Sequence, residues 1–494
     1  MGYEQIAAVD LGSNSFCMQV GRIVEEQIYP LDARKESVRL ASGLTPDKDI
    51  DEAAQSRALE TLSRFGERLR GFQPEAVRVV ATNTFRVAKN AKPFISRAEK
   101  ALGFPIEIVA GREEARLVYL GASQALPSRE RRLVVDIGGG STEFIVGRQT
   151  ETFLMESLFM GCVSYSLRFF SGGRVDKKSF NGAEMAAASE LQAISKEFRS
   201  AGWTEAVATS GTAHAISTLL EANGLNPGGI DGITHEGLSR LKTLLIRAGS
   251  ADEVRLSGLR ADRTPVFPGG LAIMLAIFTE LGVQRMLYSE GALRLGVLYD
   301  LLGRFQDRDM RDLTVQEFMK RYQVETAQAR RVSRMALTLL AQLMPGDSRK
   351  RETSARFLRW AADLHEIGIS VAHNGFHRHG AYIVTYADMP GFSRRDQEYL
   401  STLILGQRGK LEKIPFSGLP DPARTVLFCL RMAVLLHRSR DDLSLPAISV
   451  RQTGNGFFAG FREAWLSANP LTEAALREEA SIWERAGYPL RIGC

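Results

Sequence analysis

A strand–Asp–x–Gly–x–x–Ser pattern occurs twice in the first 150 residues and restricts the fold more than any other feature. The first copy is AVDLGSNSF at residues 8–16, and the second is VVDIGGGST at residues 134–142. In both copies a strand pattern resumes after the Ser, so each motif is predicted to form the tip of a β-hairpin. A Walker loop or a dinucleotide-binding turn leads into a helix, and both are therefore excluded. Two matching tips predict two related domains that face each other across a cleft.

The first 300 residues alternate short apolar strands with amphipathic helices. The predicted strands are 5–10, 15–23, 77–81, 106–109, 132–136, 143–147, 206–208 and 285–287, and the predicted helices are 51–70, 112–125, 180–201, 212–222 and 272–281. This alternation is typical of α/β domains with largely parallel sheets.

After about residue 305 strand signals nearly vanish. The predicted helices there are 326–344, 352–365, 395–405 and 424–437, followed by a hairpin of strands 447–451 and 456–461. We therefore predict four parts. They are α/β domains at 1–125 and 126–304, a mainly helical domain at 305–440, and a small α+β domain at 441–494.

Composition narrows the class of protein. A chain of 494 residues is too long for one core, and 44% hydrophobic with 24% charged residues is an ordinary globular mixture. The four cysteines are far apart and form no CxxC pair, which argues against a disulfide scaffold or a cysteine-ligated zinc site. We see no signal peptide and no apolar run near the roughly 20 residues of a membrane span. We expect a cytoplasmic protein.

The net charge of +6 is unevenly distributed along the chain. Residues 304–494 contain 28 Lys and Arg against 21 Asp and Glu, so all of the positive excess lies there. The basic clusters in this part are Arg349–Arg351, His377–His379, Arg394–Arg395 and Arg408 with Lys410. This excess indicates a polyanionic partner, and the alternative is an ordinary solvated helical surface.

The two hairpin tips and a third loop carry the chemistry of a phosphate cleft. Glycines let backbone N–H groups approach an anion closely, and the neighbouring Ser, Thr and Asn side chains add donors. The predicted phosphate-binding residues are Gly12, Ser13, Asn14, Ser15, Gly138, Gly139, Gly140, Ser141, Thr142, Ser210, Gly211 and Thr212. Asp10 and Asp136 end their strands and would repel phosphate, so we expect them to hold a divalent cation or its waters.

Seven motifs in a fixed order resemble one family. They are 10–16 (DLGSNSF), 81–86 (ATNTFR), 111–117 (GREEARL), 136–143 (DIGGGSTE), 160–163 (MGCV), 210–212 (SGT) and 291–294 (GALR). Paired tips are typical of the actin-like phosphotransferase superfamily, and the set resembles the exopolyphosphatase / guanosine pentaphosphate phosphohydrolase (Ppx/GppA) family. The resemblance implies two actin-like (ribonuclease-H-like) domains, a helical region similar to the His-Asp metal hydrolases, and a small C-terminal α+β portion.

The resemblance also implies roles for individual residues. Glu113 and Glu114 open a helix after strand 106–109, where acidic residues favour any helix N-terminus or one of them acts as a general base. In the family the second Glu has that role, which is Glu114 here. The catalytic set is then Glu114, Asp136, Glu143 and Arg86, with Arg86 neutralising a phosphoryl oxygen. The implied Mg²⁺ ligands are Asp10, Asp136 and Glu143, and we also expect stimulation by K⁺ and a homodimer with at most peripheral membrane association.

The sequence departs from the family pattern in three places in the α/β part. Cys17 replaces a frequent His, Ala208-Thr209 replaces Gly-Ala, and Leu295 replaces Glu. None of these removes a proposed catalytic group. In the helical part, Glu366 follows His365 where a ligand Asp would be expected, which favours a structural or substrate-guiding module over a second metal-dependent active site.

We predict an exopolyphosphatase that releases orthophosphate processively from the end of inorganic polyphosphate. The alternative is a phosphohydrolase that converts guanosine-5′-triphosphate,3′-diphosphate (pppGpp) to ppGpp with the same groups. Gly140 and the segment 374–379 (NGFHRH) resemble the polyphosphatase version. Remoter alternatives are an ATP-dependent kinase on the same fold and a phosphate-ligand sensor without catalysis. No nucleic-acid partner is expected.

Overall fold

The computed structural model describes residues 3–24, 27–254, 256–305, 309–346, 348–414, 422–442 and 445–493. The chain divides into two compact units, Met1–Asp309 and Met310–Cys494. The predicted division into four domains is finer than this and stays a prediction. Three cysteines (Cys17, Cys162 and Cys429) are free thiols, and Cys494 lies outside the described residues.

The first unit alternates strands and helices. Its strands are β1 Gln5–Leu11, β2 Ser15–Val24, β3 Gln27–Ser37, β4 Val77–Ala81, β5 Ile106–Ile108, β6 Arg131–Ile137, β7 Thr142–Arg148, β8 Glu151–Leu158, β9 Glu205–Thr209, β10 Ile233–Thr234 and β11 Arg285–Tyr288. Its helices are α1 Glu52–Arg68, α2 Asn83–Val87, α3 Ala91–Leu102, α4 Gly111–Ala125, α5 Cys162–Phe169, α6 Lys177–Ala201, α7 Ser210–Ala222, α8 His235–Ala248, α9 Phe267–Leu281 and α10 Leu293–Phe305.

Two mixed sheets organise these strands, and both repeat one topology. The first has the order β3-β2-β1-β4-β5, and the second has the order β10-β11-β9-β6-β7-β8. In each, the first three strands of the repeat form antiparallel hairpins. Strands β4 and β5 then run parallel to β1, and β9 and β11 run parallel to β6. The second sheet also has the short strand β10, which pairs antiparallel with β11. The motif residues Asp10 and Asp136 occupy equivalent places near the ends of β1 and β6. The predicted hairpin tips and the duplicated α/β arrangement are confirmed.

The strand β3 was not predicted, because its sequence lacks the alternation of a half-buried strand. It contains Pro30 and four charged residues and lies at the edge of its sheet. Proline and exposed charges are tolerated at an edge, where they also discourage pairing with another chain. The register between β2 and β3 shifts at Val20/Gly21, where Gly21 lies opposite Pro30.

Helix α9 is the most apolar helix of the first unit. The window Thr264–Leu281 has the length and hydropathy of a membrane span and is the one stretch of the described chain to do so. However, 78% of that window is buried, and α9 packs mainly against α6 and α5. We therefore assign α9 as a core helix.

The second unit is mainly helical and ends in a small α+β portion. Its helices are α11 Met310–Arg321, α12 Thr326–Leu343, α13 Arg349–Asp363, α14 Phe376–Tyr386, α15 Arg394–Gly406, α16 Ala423–Leu436, α17 Glu463–Ala468 and α18 Pro470–Arg485, and its strands are β12 Ser449–Thr453, β13 Gly456–Gly460 and β14 Leu490–Gly493. The predicted hairpin is present as β12 and β13, and β14 adds to it in parallel. One apolar core joins the helices to this sheet through Phe428, Phe457 and Trp483.

Candidate active site

The two hairpin tips of the first unit meet across a cavity of about 820 Å³. A Cβ atom on Gly139 would lie 2.9 Å from the Cβ of Ser13, and one on Gly140 would lie 2.7 Å from Asn83 Oδ1. Side chains at these two positions would therefore separate the tips. The predicted residues that line the cavity are Asp10, Gly12, Ser13, Asn14, Ser15, Glu114, Asp136, Gly138, Gly139, Gly140, Ser141, Ser210 and Gly211.

The first tip is held by hydrogen bonds from neighbouring segments. Thr84 Oγ1 donates to Ser13 Oγ at 2.8 Å. The carbonyl of Asn14 accepts from the backbone N–H groups of Val38 and Arg39, at 3.1 and 2.7 Å. These bonds fix the tip without using its own N–H groups, which leaves the tip suited to binding an anion.

The second tip is supported from behind by the start of α5. The N–H groups of Cys162 and Val163 donate to the carbonyls of Gly138 and Gly139, both at 2.9 Å. A Cβ on Gly161 would lie 2.4 Å from the Gly139 carbonyl carbon, so a glycine is required there. The segment 160–163 is thus a turn into a helix, as predicted, and positions the tip.

Thr142 and Thr212 do not line the cavity, in contrast to the predicted phosphate-binding role. Both are buried. Thr142 Oγ1 donates to the Met160 carbonyl at 2.6 Å, and Thr212 Oγ1 donates to the Ile137 carbonyl at 3.1 Å. Because each hydroxyl is bonded to the backbone, these two side chains hold the loops together.

The third loop begins helix α7 with an unusual backbone conformation. Ser210 has φ of +85°, a region that residues other than glycine rarely occupy. A Cβ on the next residue, Gly211, would lie 2.0 Å from an Arg263 guanidinium nitrogen. A helix N-terminus and a guanidinium group therefore meet in the cavity, and both attract anions.

Four acidic side chains interact electrostatically near the tips: Asp10, Glu114 and Asp136 line the cavity, whereas Glu143 does not. Burial raises the pKa of Asp10 to about 7; Arg294 opposes this rise, whereas Glu114 and Asp136 add to it. Burial also raises the pKa of Asp136 to about 6, although a hydrogen bond from Thr209 opposes this. The pKa of Glu143 is raised well above its ordinary value by burial and by Glu114 and Asp136. Negative charge here is costly unless a cation compensates for it.

The donor set fits a hydrated divalent cation better than a closed three-carboxylate site. No three His, Cys, Asp or Glu side chains of the described residues are grouped to hold a metal ion. Asp10, Asp136 and Glu143 are therefore not brought together as one ligand cluster, and Glu143 Oε1 accepts from Ser157 Oγ at 2.8 Å. In contrast, Asp10 Oδ1 is buried without a partner. Mg²⁺ keeps several waters and takes one or two carboxylates plus phosphate oxygens, which Asp10 and Asp136 would satisfy.

The structure separates the two adjacent glutamates at the start of α4. Glu113 accepts two bonds from Arg116, both at 2.8 Å, and lies 3.8 Å from Arg78. Asp300 completes this network, with a 2.7 Å bond from Arg78 and a further bond from Arg116. Glu113 is thus part of a buried ionic network and does not line the cavity. Its neighbour Glu114 does line it.

Arg86 lies behind Glu114 and is not among the residues that line the cavity. Its Nη1 donates to Glu114 Oε2 at 2.6 Å and to the Val109 carbonyl at 3.1 Å. The side chain therefore fixes the orientation of the Glu114 carboxylate. This placement argues for a positioning role, rather than the direct contact with phosphate that the sequence suggested.

Four Arg and Lys residues that line the cavity were not predicted as site residues: Lys35, Arg260, Arg263 and Arg294. Arg260 pairs with Asp262, and the other three form no ion pair within the part of the chain that the structure describes. Burial lowers the pKa of Lys35, and Arg263 adds to this lowering. Arg294 could have been found from the sequence, because it belongs to the 291–294 motif. Lys35, in contrast, lies on the edge strand β3, which was not predicted. Together they supply positive charge for a polyanionic ligand.

The sequence departures also lie at this site. Cys17 and Leu295 line the cavity, and burial raises the pKa of the Cys17 thiol. Thr209 Oγ1 donates to Asp136 Oδ2 at 2.6 Å, so this residue orients a candidate metal ligand.

Two family models together match most of the chain. The Ppx/GppA phosphatase family model covers residues 19–305, and the model for domain III of the same family covers residues 310–480. The chain belongs to the Ppx/GppA phosphatase family. It is accordingly a phosphatase of the class that hydrolyses phosphoanhydride bonds.

One curated relative is similar over the full length. The guanosine-5′-triphosphate,3′-diphosphate pyrophosphatase of Aeromonas hydrophila subsp. hydrophila is 36% identical over 490 residues, which is 98% of each chain. Among solved structures, an exopolyphosphatase from Cytophaga hutchinsonii matches with a TM-score of 0.55 at 24% identity, over 61% of this chain and 98% of its own. The Aquifex aeolicus PPX-GPPA enzyme matches with a TM-score of 0.50 at 24% identity, over 60% and 98%. These structures support the fold alone, and the predicted fold class of two actin-like domains and a helical region is confirmed.

Proposed function

We propose that this phosphatase hydrolyses the terminal 5′ phosphoanhydride of pppGpp, giving ppGpp and orthophosphate. The observation that carries the chemistry is Glu114, a carboxylate that lines the phosphate cavity and is held by Arg86. The choice of substrate is supported by the relative at 36% identity, whose name specifies guanosine-5′-triphosphate,3′-diphosphate.

The 5′-triphosphate would lie between the hairpin tips. The N–H groups of residues 12–15 and 139–141 and the N-terminus of α7 would donate to its oxygens. Lys35, Arg263 and Arg294 balance its charge, since no carboxylate of the described residues pairs with them. This arrangement stabilises the charge that develops on the transferred phosphoryl group.

Glu114 would act on the water that attacks the terminal phosphorus. As the oxygen of this water forms a bond to phosphorus, the bond to the bridging oxygen breaks, and the released electron pair stays on the diphosphate of ppGpp. The water proton passes to the Glu114 carboxylate and later to solvent or product. Arg86 holds the carboxylate in the orientation that accepts this proton. Mg²⁺ at Asp10 and Asp136 would neutralise phosphate charge and orient the substrate.

Inorganic polyphosphate is the second candidate substrate. The unpaired cations along the cavity suit any substrate with a terminal phosphoanhydride. The segment 374–379 resembles the polyphosphatase version, which favours polyphosphate. The glycine at position 140, however, does not distinguish the two substrates. Packing alone explains it, because a side chain there would meet Asn83. The remaining expectations, which are K⁺ stimulation, a homodimer, a cytoplasmic location and at most peripheral membrane association, stay proposals.

Reaction in ¹⁸O-labelled water tests the reaction class. Hydrolysis by Glu114-activated water places one ¹⁸O in each released orthophosphate and yields ppGpp and phosphate in equal amounts. A kinase would transfer the phosphoryl group to an acceptor without this label. A sensor without catalysis would bind pppGpp and release no phosphate. Either result would reject the proposal.

A further inference from the structure

The second unit contains its own cavity of about 1130 Å³, formed entirely by residues between 328 and 482. Its walls come from the segment 365–378, the end of α15 with the turn after it, and the facing sides of α16 and α18. The hydrolytic mechanism uses none of these residues. A pocket of this size accommodates a ligand as large as a nucleotide.

The lining of this cavity is rich in basic residues. Six Arg and Lys residues line it against three Glu residues. Arg431 pairs with Glu479, and Arg440 pairs with Glu366. The other four cations, Arg378, Arg408, Lys410 and Arg438, form no ion pair within the described residues. Burial, together with Arg408 and Arg378, lowers the pKa of His377 to about 4, so this imidazole is neutral in a positive environment.

The turn that carries two of these cations is rigidly held. Arg431 donates to the carbonyls of Gly406 and Gly409, at 2.6 and 3.1 Å, while its pair with Glu479 keeps it in place. The Arg408 guanidinium lies 5.2 Å from the centre of the Phe376 ring. Because the backbone of this turn and the Arg408 side chain are anchored in this way, the turn is preorganised for an anion.

The lining also contains apolar side chains and one buried amide. Ile369, Leu405, Ile414, Val434, Leu435 and Ile482 form an apolar lining. Within the cavity Gln407 is 2% exposed, and its Nε2 donates to the carbonyls of His365 and Ile404. Its Oε1 is buried without a hydrogen-bond partner. A buried acceptor left unsatisfied is costly, and a ligand N–H group that donates to it would recover this cost.

We infer that this cavity is a second ligand site, for a purine nucleoside polyphosphate. The phosphates bind to Arg378, Arg408, Lys410 and Arg438, the ring lies against the apolar lining, and a ring N–H or amino group donates to Gln407 Oε1. A bare phosphate chain would bind the four cations but would contact neither the apolar lining nor the Gln407 amide. The inference is independent of the proposed hydrolysis, because it concerns binding to different residues.

Calorimetric titration of the full chain with the β,γ-methylene analogues of GTP and ATP tests this site, since neither analogue is hydrolysed at that bond. If both this cavity and the catalytic cavity bind nucleotide, at least one analogue should bind with a stoichiometry of two molecules per protein chain. The double variant R378Q/R408Q should lose one equivalent and keep its rate of phosphate release from pppGpp. The exposed Arg491, on β14, gives the matched control R491Q, which should keep both equivalents.

Inorganic tripolyphosphate separates a nucleotide site from a phosphate-chain site. We expect it to bind the second site at least tenfold more weakly than the better nucleotide analogue. Equal affinity, a single equivalent in the unmodified chain, or two equivalents in R378Q/R408Q would each overturn the inference. Melting temperatures of the variants within a few degrees of the parent establish that they are folded.

Discussion

The Arg86 guanidinium lies 2.6 Å from the Glu114 carboxylate, whereas the preceding residue Glu113 is bound by Arg116 in a buried ionic network. Adjacent residues of one helix therefore have different surroundings. One carboxylate lines the cavity between the hairpin tips, and the other joins α4 to β4 and α10 through Arg78 and Asp300. This contrast supports Glu114, rather than Glu113, as the proposed general base.

The substitution Glu114→Gln should lower kcat about 100-fold or more, because the amide cannot accept the water proton. The shape of the side chain is kept, so KM for pppGpp and the melting temperature should change little. Steady-state phosphate release and thermal unfolding measure these effects. An unchanged kcat would remove Glu114 from the mechanism.

The matched substitution Glu113→Gln should have the reverse effect. It leaves Arg116 and Arg78 with one fewer buried partner, and removing one member of such a pair costs about 3–5 kcal/mol. We expect a clear fall in melting temperature while kcat per folded molecule stays within a few-fold of the parent. A variant that is fully stable but inactive would show that the two glutamates have been assigned the wrong way round.

The positioning role of Arg86 predicts a split between kcat and KM. In Arg86→Ala the Glu114 carboxylate loses its fixed orientation, so kcat should fall while KM for pppGpp changes little. Arg86→Lys restores the charge but not the simultaneous bonds to Glu114 and the Val109 carbonyl, and it should recover part of the lost rate. If Arg86 contacted phosphate directly, KM would rise in both variants.

The close approach of the second tip to α2 predicts that a substitution at Gly140 lowers activity and that a second substitution at Asn83 restores it. Gly140→Ala places a methyl group 2.7 Å from Asn83 Oδ1, and overpacking of this kind should lower kcat roughly tenfold on both pppGpp and polyphosphate. Adding Asn83→Ala makes room for the methyl group and should restore most of the rate. A change in the substrate ratio with no rescue would show that residue 140 selects the substrate.

The raised pKa values of the buried aspartates predict a dependence of stability on pH. The ordinary pKa of Asp is 3.8, and that of Asp10 is about 7 in the folded chain, so the folded state holds an extra proton between these values. Stability without divalent cations should therefore fall as pH rises from about 4 to about 7 and then level off. Asp10→Asn should show a smaller fall, and added Mg²⁺ should narrow the difference. Parallel curves of melting temperature against pH for the two proteins would contradict this.

The motifs predicted the hairpin tips, because glycine, aspartate and serine at fixed spacing reflect local backbone needs. They also predicted that Glu114, Asp136 and both tips lie at one cleft, and the structure places them around one cavity. What they did not give was side-chain orientation: the hydroxyls of Thr142 and Thr212 bond to backbone, and Arg86 lies behind Glu114. Lys35 was missed because its edge strand follows no periodic pattern, and only its pairing with β2 brings it to the cavity.

The most direct test of the account compares kcat/KM for phosphate release from pppGpp with that from polyphosphate of several chain lengths, with Mg²⁺ present and at constant ionic strength. We predict a higher kcat/KM for pppGpp, one phosphate released per nucleotide, and loss of activity toward both substrates in Glu114→Gln. A kcat/KM for long-chain polyphosphate that exceeds the value for pppGpp, and rises with chain length, would contradict the proposed substrate.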